Sequence, residues 1–151
     1  MLASSLAAYL HFVAAFGIVA TLFFEWFTFS ATPTLQEARR LALADRWYGI
    51  FAVLMLVAGF TRAIEFEKGW SYYLHNPVFH LKLSLFIAIG LLSIYPTIRF
   101  LRWSPDIKAG RVPQVSDAQY TLISRLLGIQ MLLLACLLLS ASLMAHGVGA
   151  R

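Results

Sequence analysis

The chain has 151 residues, of which 60% are hydrophobic and only 13% are charged, and its mean hydropathy is +0.75. This composition excludes an ordinary water-soluble domain and indicates an integral membrane protein. The formal net charge of +5 does not indicate nucleic-acid binding, because the basic residues lie in connections and at the ends of apolar runs rather than along one polar stripe.

Four apolar runs in the sequence are each long enough to cross a hydrocarbon core of about 30 Å at about 1.5 Å per residue. They occupy about Leu6–Phe29, Trp47–Glu65, Val78–Leu101 and Tyr120–His146. The first run has no basic segment before it and is longer than the apolar part of a cleavable signal peptide, so we interpret it as a retained span. Because short connections join the runs, the sequence predicts a single domain over residues 1–151, an all-α antiparallel four-helix bundle.

The first connection, between the first two runs, has the pattern of a short amphipathic helix. It starts with Thr32 and Pro33, a suitable N-cap and first helical residue, and continues with apolar residues at helical spacing. We expect this helix to lie at the membrane interface. The third connection, SPDIKAGRVPQVSD, is rich in turn residues and predicts a solvated loop, with Ser116 or Asp117 capping the last helix.

The distribution of basic residues predicts the topology. The first and third connections and the adjoining helix ends carry most of them: Arg39, Arg40, Arg46, Arg99, Arg102, Lys108 and Arg111. By the positive-inside rule these connections are cytoplasmic, and both termini face outward from a bacterial inner membrane. The middle connection then lies outside, with Trp70, Tyr72 and Tyr73 at the level of the lipid headgroups.

Small residues within the runs predict close helix packing. A residue without a large side chain lets two backbones approach each other inside a membrane. The glycines expected to act in this way are Gly17, Gly59, Gly90 and Gly128.

Histidines in the runs are candidate site residues, because an ionisable group inside a membrane helix costs about 2.5–3.5 kcal/mol on insertion scales. His11 and His80 each lie about one turn into a span from the predicted outer side. Two neutral imidazoles at equal depth on facing antiparallel helices can bind one metal from opposite sides. We interpret His75 and His146 as interfacial residues without a ligand role.

Haem b suits such a pair of histidines better than a bare ion. Its flat apolar macrocycle fills space between helices, while its propionates need cations near the interface. The candidates for these cations are Arg62, Lys68 and Lys82. Lys82 follows His80 by two residues, so the two side chains project about 200° apart on a helix. Lys82 is therefore either a lysine that stretches to the interface without a chemical role, or a group that binds a propionate or an anionic substrate.

Glu25 is the acidic residue inside the first run. It follows His11 by fourteen residues, nearly four helical turns, and so shares its helix face at the other end of the span. Arg125 enters the fourth run from that same side, which predicts a Glu25–Arg125 ion pair. A role for Glu25 in proton transfer is the alternative.

Three segments resemble a known family. AYLHFVAAFG, ADRWYGIFAVLMLVAGF and PVFHLKLSLF are similar to the His, Arg and His-x-Lys landmarks of the HemJ-type protoporphyrinogen oxidases and of CopD-like four-helix proteins. The whole chain is most similar to the small bacterial membrane proteins grouped as DUF2214. The resemblance implies haem b as the cofactor and His11 as an axial ligand, with His80 and Lys82 as the His-x-Lys pair. It also implies that Lys82 and Arg46 are candidate catalytic residues.

Three classes of function stay open at this point. The first is a haem b redox protein that oxidises a membrane-soluble substrate such as protoporphyrinogen or passes electrons to a quinone. The second is a copper-handling membrane protein, although Met55, Met131 and Met144 are scattered rather than paired. The third is a cofactor-free accessory or scaffold subunit. A homo-oligomer is compatible with each of them.

Overall fold

The computed structural model describes residues 2–66, 71 and 74–148. Its helices are α1 (Leu2–Thr28), α2 (Leu35–Thr61), α3 (Pro77–Arg102), α4 (Ser104–Lys108) and α5 (Asp117–Ala145), and α2 continues into a π-helical turn over Arg62–Phe66. The residues predicted at the outer headgroups, Trp70, Tyr72 and Tyr73, and the candidate cation Lys68 lie outside the described residues.

Four of these helices, α1, α2, α3 and α5, are long and apolar enough to cross a membrane. Each is about 40 Å long at about 1.5 Å per residue, which exceeds a hydrocarbon core of about 30 Å. Their outward faces carry large apolar side chains such as Phe16, Val53 and Leu132, which are 74%, 63% and 66% exposed. A surface of this kind suits contact with lipid tails. The prediction of an all-α membrane bundle is confirmed.

The four long helices form a ring. α1 packs along α2, α3 packs along α5, and contacts of α1 with α5 and of α2 with α3 close the bundle. In the described part of the chain α1 and α3 do not pack on each other, so they are diagonal. Successive helices alternate in direction, which makes α1 and α3 parallel. The sequence interpretation that His11 and His80 lie on antiparallel helices is therefore wrong.

The two ends of the bundle differ in their side chains. We call the end with His11, Arg62 and His80 the histidine end, and the end with Arg39 and Arg99 the arginine end. At the arginine end an aromatic cluster closes the core. Its members Phe29, Phe100, Trp103 and Tyr120 have ring centroids between 4.9 and 6.5 Å apart in the contacting pairs.

The start of α2 differs from the sequence prediction. The backbone N–H of Thr34 donates to the Glu37 side chain at 2.7 Å, and the N–H of Glu37 donates to the Thr34 hydroxyl at 3.2 Å. This capping box starts the helix at Leu35 rather than at Pro33. No proline follows before Thr61, so the predicted interfacial helix and the second span form one continuous helix.

The third connection is partly helical, where the sequence predicted a loop. α4 covers Ser104–Lys108, with Pro105 in its first turn, and Gly110 follows with a φ of 72°. A positive φ favours glycine and does not continue a helix. Ser116 then accepts a hydrogen bond from the N–H of Gln119 at 3.3 Å, which confirms it as the cap of α5.

Glycine permits the close approach of α1 and α2. A Cβ at Gly17 would overlap the ring of Phe51, and a Cβ at Gly59 would lie 3.5 Å from the ring of His11. The prediction for Gly90 was wrong, because a Cβ there would meet nothing within 4 Å. Gly90 lies on the open side of α3, whereas Gly17 and Gly59 face a neighbouring helix.

This packing predicts the effect of two glycine substitutions. Gly17→Ala forces the Phe51 ring aside and is expected to lower stability by about 1–3 kcal/mol, as overpacking does elsewhere. Gly49→Ala is the control, because Gly49 lies in α2 with nothing within 4 Å of its Cβ position. Thermal unfolding of both variants in the same detergent is the measurement. Equal stability of the two variants would contradict the described α1–α2 packing.

Candidate functional site

His11 lies in the crevice between α1 and α2. Its side chain is partly buried, and its Cε1 and Nδ1 atoms are 3.5 Å from the position that a Cβ would take at Gly59. This separation is ordinary van der Waals contact, so the imidazole rests on the backbone of α2 where a larger residue would displace it. His11 and the glycine that it packs against, Gly59, are thus on different helices and 48 positions apart in the sequence.

Arg62 joins His11 at the histidine end. It is the first residue of the π-helical turn after α2, and its guanidinium carbon lies 5.9 Å from the ring centroid of Phe12. An exposed contact of this type contributes about 0.5–1 kcal/mol and favours one orientation of the arginine. Single π-helical turns often occur at functional sites. The structure therefore brings His11 and Arg62 together through Phe12, the neighbour of His11.

His80 has a different environment. Its side chain is exposed, and its Nε2 lies 2.7 Å from the carbonyl oxygen of Leu74. The preceding residue, Phe79, is the buried one, and it forms a cluster with Ala63 of the segment after α2. Consecutive residues project about 100° apart on a helix, so Phe79 faces the bundle and His80 does not.

The two histidines also differ in depth. His11 is beside Gly59, whereas Phe79, the neighbour of His80, packs with Ala63. Gly59 and Ala63 are one turn apart, so His11 lies about one turn deeper in the bundle than Phe79, the residue before His80. The equal depth expected from the sequence is not found, because α1 begins at Leu2, earlier than the sequence indicated.

The two candidate catalytic residues lie apart from each other. Lys82 is partly buried on α3, two residues after His80. Arg46 is exposed near the arginine end, about 20 Å from Gly59 along α2. The structure thus places Lys82 near His80 and does not bring Arg46 to the histidine end.

Asn76 is a residue of the histidine end that sequence reasoning missed. It is only 2% exposed, and its side-chain oxygen caps α3 by accepting from the N–H of Val78 at 2.9 Å. Its side-chain nitrogen has no hydrogen-bond acceptor among the described residues. A buried donor of this kind normally has a partner, so this nitrogen is a candidate to bind an acceptor oxygen. The Asn-Pro pair before the apolar run was the available signal.

A second polar cluster, also missed, lies towards the arginine end. Asp45 of α2 is 4% exposed and accepts a hydrogen bond from the Thr97 hydroxyl of α3 at 2.6 Å. Glu25 of α1 is 2% exposed and lies near Asp45. Its Oε1 atom has no partner within the described chain. The available signal was the helical spacing of Ala38, Leu41, Asp45 and Tyr48, which places Asp45 on the same buried helix face as the three other residues.

The same cluster extends one turn towards the middle of the bundle. Tyr48 of α2 lies near Ser93 of α3, whose hydroxyl donates to the Gly90 carbonyl of its own helix at 2.7 Å. Gln130 of α5 is 1% exposed, and neither atom of its amide has a partner among the residues described. Each of the four long helices thus places a polar side chain inside the bundle: Glu25, Asp45 with Tyr48, Ser93 with Thr97, and Gln130. We call these side chains the polar interior.

The predicted Glu25–Arg125 ion pair does not form. Arg125 is exposed, because the buried face of α5 carries Ile123, Leu127 and Gln130 instead. Glu25 has an acidic neighbour, Asp45, rather than a basic one. The direction in which each side chain faces on its helix therefore prevents the ion pair, although both residues lie at the same end of the bundle.

A metal site built from several protein ligands is not found in the described residues. No three His, Cys, Asp or Glu side chains group closely enough to hold an ion there. Cys136 is exposed on α5. Side chains of the described residues alone would therefore not hold a metal ion at the histidine end. A haem iron differs, because the macrocycle supplies four of its ligands.

One comparison with known proteins gave a match. The family model described as "Predicted membrane protein (DUF2214)" matches residues 3–149. No curated protein matches the chain, and no solved structure matches it. The matched residues include the histidine end, the polar interior and the arginine end.

The polar interior predicts a difference between two threonines. Thr97→Val removes the donor to buried Asp45 and is expected to lower stability by about 1–3 kcal/mol. Thr61→Val is the control, because the exposed Thr61 hydroxyl donates only to the Val57 carbonyl of its own helix, at 2.8 Å. Thermal unfolding in detergent compares them. A loss for Thr61→Val as large as that for Thr97→Val would contradict the interhelical role.

Proposed function

The chain belongs to the DUF2214 family of membrane proteins, and we propose that it is a haem b-binding redox protein that acts at the histidine end. The observation that carries the proposal is the position of His11, a partly buried imidazole seated on Gly59 beside Arg62. A neutral imidazole is a common haem ligand, and a cation one turn nearer the interface suits a propionate.

The residues around His11 fit one side of a haem. His11 would bind the iron, while Arg62 and the buried side-chain nitrogen of Asn76 would bind carboxylate oxygens. The ring of Phe12 would exclude water from the same side. These groups come from α1, the turn after α2 and the start of α3, so a ligand between them would hold the histidine end together.

The other side of the haem needs a local change. His80 is the proposed second ligand, and its Nε2 would have to leave the Leu74 carbonyl and turn towards the bundle. His75 and Asn76, between Leu74 and α3, are not helical, and such a connection can adjust more readily than a packed helix. Lys82 is the proposed partner of the second propionate or of an anionic substrate.

Redox chemistry at this site would follow from the cofactor and from the surrounding membrane. Bound haem b supplies a one-electron couple. A membrane-soluble donor such as a porphyrinogen would lose electrons and protons, and a quinone would take up equal numbers of both. The protein's residues would hold the iron, bind anionic groups and keep the site dry. The catalytic role that the resemblance implies for Arg46 stays a prediction.

The proposed orientation follows the positive-inside rule. With the arginine end in the cytoplasm of a bacterium, the histidine end faces outward and both termini are outside. Haem would then lie in the outer leaflet, within reach of quinones and other apolar donors.

Absorption spectroscopy tests the proposal. Protein expressed with sufficient haem is expected to show a Soret band, and His11→Ala is expected to lower the haem content at least about tenfold. His146→Ala is the control, because His146 is exposed and its Nδ1 lies 2.8 Å from the Ser142 carbonyl in its own helix. His80→Ala is expected to shift the band by changing the second ligand.

Two results would contradict the proposal. One is the absence of a Soret band in folded wild-type protein, which would favour the cofactor-free scaffold. The other is an unchanged band in both His11→Ala and His80→Ala. Stoichiometric copper without iron in elemental analysis would favour the copper-handling alternative. Size-exclusion chromatography of each variant separates loss of haem from loss of folding.

A further inference from the structure

A basic groove of about 350 Å³ lies at the arginine end, between the first part of α2 and the short helix α4. It is lined by Arg39, Ala42, Leu43, Arg46, Ser104, Ile107 and Lys108. Three cations thus surround a floor of apolar side chains. This groove is remote from the histidine end, so a ligand bound in it does not depend on haem binding.

The cations of the groove converge from two helices. Arg39 and Arg46 are seven residues apart, so they lie on one face of α2 about 10 Å from each other. Lys108 is the last residue of α4 and lines the same groove. Within the described chain, no carboxylate lies within ion-pair distance of any of the three.

Two of the nearby carboxylates have other partners, and the third, that of Asp45, interacts electrostatically with Arg46. Asp106 pairs with Arg111 at 2.7 Å, and Glu37 binds the backbone of Thr34. Asp45 is buried and accepts from Thr97, although it is adjacent to Arg46 in the sequence. The groove therefore has an excess of positive charge that favours an anionic ligand.

An apolar stripe continues from the groove along α2. Ile50, Val53 and Val57 follow Arg46 at intervals of four, three and four residues, so all four side chains share one helix face. These three apolar side chains are 53%, 63% and 61% exposed. Cations at one end and exposed apolar side chains along the rest complement a molecule with an anionic head and hydrocarbon tails.

The groove lies at the depth expected for a lipid headgroup. Asp45 is close to Glu25, and α1 ends three residues after Glu25, so roughly 10 Å of α2 continues past the end of α1. Arg39 lies on that extension, and Arg46 lies about 6 Å beyond it along α2, beside the end of the bundle. The groove is thus at the level of the headgroups when the apolar stripe is among the lipid tails.

We infer that the groove binds the phosphate headgroup of an anionic phospholipid, with the acyl chains lying along the stripe of Ile50, Val53 and Val57. A free phosphate ion would use the cations but not the stripe. The stripe is therefore the reason to assign a lipid rather than a small anion.

Native mass spectrometry of the full chain in detergent tests the inference with phosphatidylglycerol as the probe. The wild-type protein is expected to retain at least one lipid and to bind it about tenfold or more tightly than phosphatidylcholine. The combined substitution Arg39→Gln, Arg46→Gln and Lys108→Gln is expected to remove this preference. Inorganic phosphate at the same concentration is expected not to displace the lipid.

A charge-matched variant is the control. Arg40→Gln, Arg102→Gln and Arg125→Gln remove the same charge from three exposed arginines outside the groove, and lipid binding is expected to stay within about twofold. An equal loss in both triple variants would overturn the inference in favour of general surface charge. Displacement by phosphate would overturn the lipid assignment. If the groove variant fails to fold, Arg46→Gln compared with Arg40→Gln decides the same question.

Discussion

The close packing of α1 against α2 determines where the remaining features lie. Gly17 lets α1 approach the ring of Phe51. Two turns nearer the histidine end, Gly59 leaves space for the side chain of His11. The same register brings Glu25 beside Asp45. In a bilayer the hydrophobic effect contributes little to the association of helices, so small residues and hydrogen bonds must define such a register.

Two ends with different chemistry result from that register. The histidine end combines an imidazole, a guanidinium and a buried amide donor, and the arginine end combines cations with an apolar groove. Between them lies the polar interior, where the Thr97–Asp45 hydrogen bond of 2.6 Å joins α3 to α2 and Glu25 of α1 lies near Asp45.

The sequence predicted what depends on composition and period, and missed what depends on helical phase between neighbours. Length and hydropathy identified the spans, and the Ser116 cap was correctly placed. By contrast, Asp45 was assigned to a separate interfacial helix, although no proline or other break separates that segment from the second span. The ion pair of Glu25 with Arg125 was wrong for a related reason: both residues enter from one end, but only Glu25 faces inward. Sequence spacing on one helix does not determine which residues of another helix it meets.

The central claim is that Gly59 positions His11 to bind haem, and haem content in two Gly59 variants tests it most directly. A methyl group at 3.5 Å from the imidazole is an ordinary contact, so Gly59→Ala is expected to keep its haem. Gly59→Leu is expected to displace the ring and lose haem. Gly17→Ala disturbs the same interface without touching His11, so it is expected to lose stability but keep haem. Full haem content in folded Gly59→Leu would contradict the account.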